Sequence, residues 1–285
     1  MNGMIHMEYI TPEEWSHITE DERQMIASAV SKDNVSIPVE SIAVKRSFYA
    51  KYGKRLLDII VGGTAFLIAL PINLIIGIVT FFDVGRPIFF SQERIGKDGK
   101  PFKLTKFRNM TNETNEDGIL LPPEQRITKW GSFVRKTSLD ELLNLWNVVK
   151  GDMSIIGPRP LTRKYYERFN DYHQQRHMIR PGLECPFHDK KCAKLGWQGR
   201  FDNDVWYVEN VSFSTDIKMF FYLIKKVLSK KERAESASGQ TGEFIGYSPD
   251  GTVMNEFNIP RKYLCVIDRS EAGLNEHVRE EADVS

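Results

Sequence analysis

Cysteine is scarce in this 285-residue chain: Cys185, Cys192 and Cys265 are an odd three in no disulfide-framework spacing. That excludes a stapled secreted scaffold and points to a reducing compartment. Charge of one sign is also missing, since 39 Lys and Arg nearly balance 38 Asp and Glu. Nucleic-acid binding through bulk charge is therefore excluded, and function must rest on local patches. The first forty residues hold several acids and no sustained apolar segment, so a cleavable signal peptide is not expected and the chain is expected to stay on the cytosolic side. The last absence is local. From Ile59 to Phe82 there are 24 residues without a charge.

As a helix that run would cover about 36 Å at ~1.5 Å per residue, enough to span a bilayer core of ~30 Å. Pro71 divides it, removing one backbone donor and clashing with the Leu67 carbonyl, so the spacing predicts a kink there. Each half is too short to cross alone. Lys45, Arg46, Lys51, Lys54 and Arg55 precede the run, and Arg86, Arg94, Lys97, Lys100, Lys103, Lys106 and Arg108 follow it. Cations on both flanks favour two cytosolic ends, hence a re-entrant helix over a tilted spanning helix or a buried one.

Downstream, PIFFSQERIGKDGKPFKLTKFRNM reads as a β-hairpin turning near Asp98 and Gly99, with Phe102, Leu104, Lys106 and Arg108 on one face of its second strand. In RKTSLDELLNLWNVVKGDMSIIGPRP, Ser138 and Glu141 have capping-box spacing ahead of an apolar helical stripe that Gly151 would stop. Asp140 and Glu141 would then sit in a first turn, where the helix dipole alone explains acids. Arg135 just before the cap and Arg159 between two prolines add a second reading, phosphate recognition by guanidinium groups held near carboxylates.

In that order the segments KRLLDII, the Pro-broken run, QERIGKDGKPFKLTKFRNM, RKTSLDELLNLWNVVKGDMSIIGPRPL, RPG from Arg180 and DVWYVEN from Asp204 resemble the bacterial sugar transferases, the polyprenyl-phosphate sugar-1-phosphate transferases or monotopic phosphoglycosyl transferases. The resemblance implies an α+β fold, mostly helical and membrane-associated, with a re-entrant N-terminal helix and a small β-hairpin. It divides the chain into a polar extension over 1–44, a catalytic domain over 45–230 including a membrane helix over 56–82 kinked at Pro71, and an extension over 231–285. It implies an enzyme, a phosphotransferase moving a sugar-1-phosphate from a UDP-sugar to undecaprenyl phosphate through a covalent aspartyl intermediate, to start an extracellular polysaccharide or glycoconjugate. Asp140 would be the nucleophile and Glu141 its partner, the two also holding Mg²⁺. Lys106, Arg108, Arg135, Arg159 and Arg180 would contact phosphate. Expected partners are inner-membrane lipid on the cytosolic face and no nucleic acid, with self-association as a homo-oligomer left open.

After RPG the family usually continues like ITGxxQVxGR, whereas this chain reads RPGLECPFHDKKCAKLGWQGRF, with Cys192 where an arginine is expected. The alternative function is therefore a catalytically reduced member that binds lipid or partners in a glycan-assembly complex. Cys185, His188 and Cys192, with His173 and His177 nearby, raise a zinc site against ordinary loop packing. Ser214 to Lys230 reads as a helix facing either membrane or core, with Lys225, Lys226 and Lys230 on its polar side. EFIGYSPDGTVMNEF reads as a hairpin around Asp250 and Gly251.

Overall fold

The structure, a computed structural model, describes residues 8–33, 41–44, 47–189, 191–228 and 242–267, and the backbone alone of 226–228. Lys45, Arg46, Lys230 and the side chain of Lys226, named above as cations, lie outside what it describes.

Two short helices come first. Thr11 caps α1 (Pro12–His17) through reciprocal bonds with Glu14, and Pro12 occupies a first-turn position where no amide donor is needed. Thr19 and Glu22 repeat the device at α2 (Glu20–Lys32), which buries Ile26, Ala27 and Val30.

A π-helical turn, Tyr49–Gly53, runs into α3 (Lys54–Val84), whose 31 residues extend about 46 Å along a helix. It is the one described helix long and apolar enough to cross a membrane. The helix continues through Pro71. Asp58, Gly62, Ala69, Asn73, Ile76 and Thr80 make its buried face, while Leu67, Ile68, Leu74, Ile75, Ile78 and Phe82 stay exposed. An apolar helix with one wet face is unfavourable in water, and a lipid surface removes that cost.

The antiparallel hairpin of β1 (Phe89–Ile95) and β2 (Pro101–Phe107) follows, with Arg94 opposite Phe102. Its turn places Asp98 and Gly99 at positive φ, as the sequence suggested. The chain then forms α4 (Pro123–Arg126), α5 (Lys129–Lys136), α6 (Asn144–Lys150) and β3 (Ser154–Ile156). α7 (Arg163–Tyr166) and α8 (Asp171–Gln174) lead to β4 (Gly182–Glu184), which pairs parallel with β3. Glycine is required at this crossing, because a Cβ on Gly182 would lie 2.1 Å from the Gly157 nitrogen.

α9 (Gly196–Glu209) buries Trp197, Phe201, Val205 and Tyr207. α10 (Phe213–Leu228) turns Met219 inward and leaves Phe213, Ile217, Phe221 and Ile224 exposed. The central core joins Leu104, Val148, Met153, Ile156, Tyr207 and Met219.

Both ends of α3 are fastened to this body. Arg55 donates to the carbonyls of Val148 (2.6 Å) and Val149 (2.7 Å), and the buried Asp58 carboxylate accepts from the Ser154 hydroxyl (2.9 Å) and Ile155 amide (3.0 Å). Near the other end Trp130 donates to the Thr80 hydroxyl (3.2 Å) and Thr128 to Asp83 (2.5 Å).

The expected C-terminal hairpin is present as β5 (Phe244–Tyr247) and β6 (Val253–Asn255). One core joins Ile10, Trp15, Ile26 and Val30 from the chain's start to Ile245, Met254, Ile259 and Tyr263 from its end. A second seam packs Phe244, Tyr247 and Val253 against Leu161, Trp197 and Phe201. The described parts of the two terminal extensions thus form one unit seated on α9.

Candidate active site

The turn before α6 differs from its sequence reading. Ser138 takes a left-handed conformation (φ 57°) without a side-chain cap, and a 3₁₀ turn, Leu139–Glu141, replaces the first turn of a capped helix. The capping box is absent because Glu141 has stronger partners. Its carboxylate accepts from Lys106 Nζ (2.5 Å) and from Arg159 (2.7 Å), charge-assisted bonds that outweigh one to a backbone amide. Gly151 closes α6 in the left-handed conformation, as its spacing predicted.

These contacts bring three distant segments together: β2 supplies Lys106, the 3₁₀ turn Asp140 and Glu141, and the Pro158–Pro160 segment Arg159. Arg94, Lys106, Glu141, Asn144 and Arg159 line a small polar recess with Leu183. Asp140, only 5% exposed, adjoins it. Burial pushes the Asp140 carboxyl up from the usual aspartate value, against the pull of Lys106. Burial pushes Glu141 up as well, but Arg159 and Lys106 outweigh it and hold that carboxyl below the usual range. The two neighbours are thereby driven apart, the pattern of groups with different tasks.

Arg159 is positioned from behind. Its carbonyl accepts from Arg176 (2.8 Å), whose guanidinium is buried against Asp204 (2.6 Å) of the DVWYVEN segment. Its other nitrogen faces Glu184 at 4.0 Å, so the divergent segment after RPG reaches the recess.

The other expected phosphate contacts lie elsewhere. Arg108 donates to the carbonyls of Val84 and Arg86, tying down the end of α3. Arg180 donates to the Gly151 carbonyl (2.8 Å). Arg135 is exposed on α5, near enough to favour the ionised form of Asp140. Arg94 was legible only as one of many cations after the apolar run; strand register turns it into the recess. Glu184 and Arg176 carried no local signal, and Asp204 only its place at the head of DVWYVEN, because their partners are 17 to 28 residues away.

No group of three or more His, Cys, Asp or Glu side chains among the described residues is placed to hold a metal. The side chains considered for zinc are engaged in packing: Cys185 is buried against Asn203, His188 bonds Asn203 and stacks on Trp206 at 4.0 Å, and His173 joins Tyr247 to Asp202. For Mg²⁺, which takes one or two carboxylates plus substrate phosphates, Asp140 is the suitable donor, since Glu141 is taken up by two cations.

A cationic recess with a buried carboxylate, set beside a long apolar helix, suits chemistry on phosphate-bearing groups at a bilayer surface. The chain belongs to the bacterial sugar transferase family, whose model matches residues 49–230. It is 45% identical over 145 residues to an uncharacterized sugar transferase, EpsL, of Bacillus subtilis, covering 51% of this chain and 72% of that protein. It is 35% identical over 189 residues to the UDP-glucose:undecaprenyl-phosphate glucose-1-phosphate transferase of Klebsiella pneumoniae, covering 61% of this chain and 39% of that one. It is 32% identical over 217 residues to the undecaprenyl-phosphate galactose phosphotransferase of Salmonella typhimurium, covering 70% and 45%. The chain thus spans less than half of either of these last two.

Proposed function

We propose that the protein is a phosphotransferase that moves a sugar-1-phosphate from a UDP-sugar to undecaprenyl phosphate at the cytosolic face of the inner membrane, starting an extracellular polysaccharide or glycoconjugate. The observation that carries this reading is the buried Asp140 carboxylate beside the Lys106–Glu141–Arg159 cluster. In the first step an Asp140 oxygen attacks the sugar-bearing phosphorus and UMP departs. In the second, undecaprenyl phosphate takes the phosphosugar from Asp140, so one difficult transfer becomes two. Lys106 and Arg159, held apart by Glu141, orient the phosphate under attack and offset its charge. Mg²⁺, when bound with the diphosphate, supplies further charge neutralisation, with Asp140 as its protein carboxylate.

Membrane placement is supported by α3, fastened to one body at both ends with an exposed apolar face between. That arrangement favours a re-entrant helix, with the exposed stripe of α10 resting on the same lipid surface. An apolar groove of about 500 Å³ between Phe66, Phe89, Leu143 and Trp146 shares β2 and α6 with the recess, and it suits an isoprenoid chain.

The test is UMP release from a panel of UDP-sugars by purified protein with undecaprenyl phosphate and Mg²⁺. Release, with a phosphosugar adduct trapped on Asp140 by acid quench and mass spectrometry, is the expected result. No release with any sugar favours the second reading, a catalytically reduced lipid- or partner-binding member, which the substituted segment around Glu184 and Cys185 supports.

A further inference from the structure

Arg94 has no role in the mechanism above. It is the next-to-last residue of β1, and its register with Phe102 and a bond from the next residue's amide, Ile95, to the Leu161 carbonyl (3.0 Å) hold it beside the Pro158–Pro160 segment. Its guanidinium donates to the neutral Gln92 side chain (2.7 Å) and forms no ion pair among the described residues. Glu141 is engaged by Lys106 and Arg159, and Glu184 faces Arg159. Three cations and one carboxylate thus line the recess, and the unmatched cation is Arg94. Burial and the neighbouring Arg159 both disfavour its charge. A partly buried guanidinium beside a second one, without a carboxylate of its own, is costly unless an anion joins it.

Position says which anion. By strand register Arg94 pairs with Phe102, four residues along the hairpin from Lys106, and Lys106 is bonded to Glu141, the neighbour of Asp140. The recess that both cations line therefore has the Asp140–Glu141 turn at its Lys106 end and Arg94 at the other. A diphosphate laid along it puts one phosphorus at the nucleophile and the other at Arg94.

We propose that Arg94 binds the nucleotide-side phosphate of the donor, the phosphate that leaves with the nucleoside. This rests on the function proposed above. As the Asp140 oxygen bonds to the sugar-bearing phosphorus, the bond from that phosphorus to the bridging oxygen breaks. Its electron pair stays on that oxygen, which departs as part of the nucleoside monophosphate. Negative charge on the leaving phosphate thus rises during the step, and Arg94 is the cation that meets it.

The experiment measures UMP affinity by calorimetry, and product inhibition by UMP, for the full-length protein and its Arg94→Met and Arg94→Lys variants, with thermal melts of each. The expected result is about 10- to 100-fold weaker UMP binding in Arg94→Met, the range of a lost charge-assisted phosphate contact. KM for the UDP-sugar should rise and kcat fall, with Arg94→Lys intermediate. If Arg94→Met does not fold, the lysine variant carries the test, because it keeps the charge and loses the fork. UMP affinity and KM unchanged in a folded variant of a protein that does release UMP would overturn the role of Arg94 and leave the proposed function standing. A wild-type protein that neither binds nor releases UMP would overturn both.

Discussion

Asp140 and Glu141 are adjacent, yet their environments make them opposites in stability as well as chemistry. The Asp140 carboxyl is raised in the folded state, so between the ordinary aspartate value and the raised one the native protein holds more protons than the unfolded chain. Stability attributable to Asp140 therefore falls as pH rises through that window. Asp140→Asn is expected to abolish UMP release and, in metal-free buffer near neutral pH, to raise the melting temperature; an unchanged or lowered melt would contradict the burial cost assigned to this carboxylate. Glu141 has the opposite sign. Its lowered value contributes stability above the ordinary glutamate range, lost as pH falls toward the folded value. Glu141→Gln leaves Lys106 and Arg159 facing each other and should cost about 1–2 kcal/mol in urea melts at neutral pH, the gap closing on acidification. At this scale the sequence was informative wherever a residue type and its close neighbours carried the message, as at Asp140, Glu141 and Arg159. It misled at Ser138, where a local capping pattern lost to ion pairs from segments 18 and 35 residues away.

Among the elements, α3 was legible as a helix from the absence of charge alone, and its buried face was not. Gly62 packs on Val148, whose Cβ-to-Cβ approach would be 3.4 Å were the glycine an alanine, and Asp58 satisfies a hydroxyl and an amide of β3. Such contacts depend on partners nearly a hundred residues downstream, beyond the reach of periodicity. Asp58→Ala should destabilise the protein by about 1–3 kcal/mol by orphaning those two donors, measured as a drop in the thermal midpoint in detergent. Topology has its own test. Cysteines placed at the exposed Lys51 and Arg86 should both react with a membrane-impermeant maleimide from the cytosolic side. Labelling from opposite sides would establish a spanning helix and remove the re-entrant reading.

For the molecule as a whole, the extensions matter most. Read along the chain they are a polar extension and a separate hairpin; in the structure α1, α2, β5 and β6 share one core. No local pattern announces such pairing, since the partners lie more than two hundred residues apart in the chain and neither extension gives a sign of the other. Ion pairs add to the seam: Glu243 meets Lys164 (2.8 Å) and Arg168 (3.0 Å), and Glu20 meets Lys164 (3.1 Å). Ile26→Ala, at a fully buried position, should cost about 2–4 kcal/mol within this unit. Limited proteolysis should then cut both termini faster while UMP release persists, and cutting confined to one terminus would show that the two do not support each other.

That shared core also sets a schedule. At ~5–20 residues per second of synthesis, Tyr263 leaves the ribosome on the order of 10–50 s after Ile10. α3 emerges long before the hairpin that completes the amino-terminal core, so under the proposed membrane placement the apolar helix meets lipid while α1 and α2 still wait for their partners. A nascent chain that stops short of residue 244 can embed itself and never close.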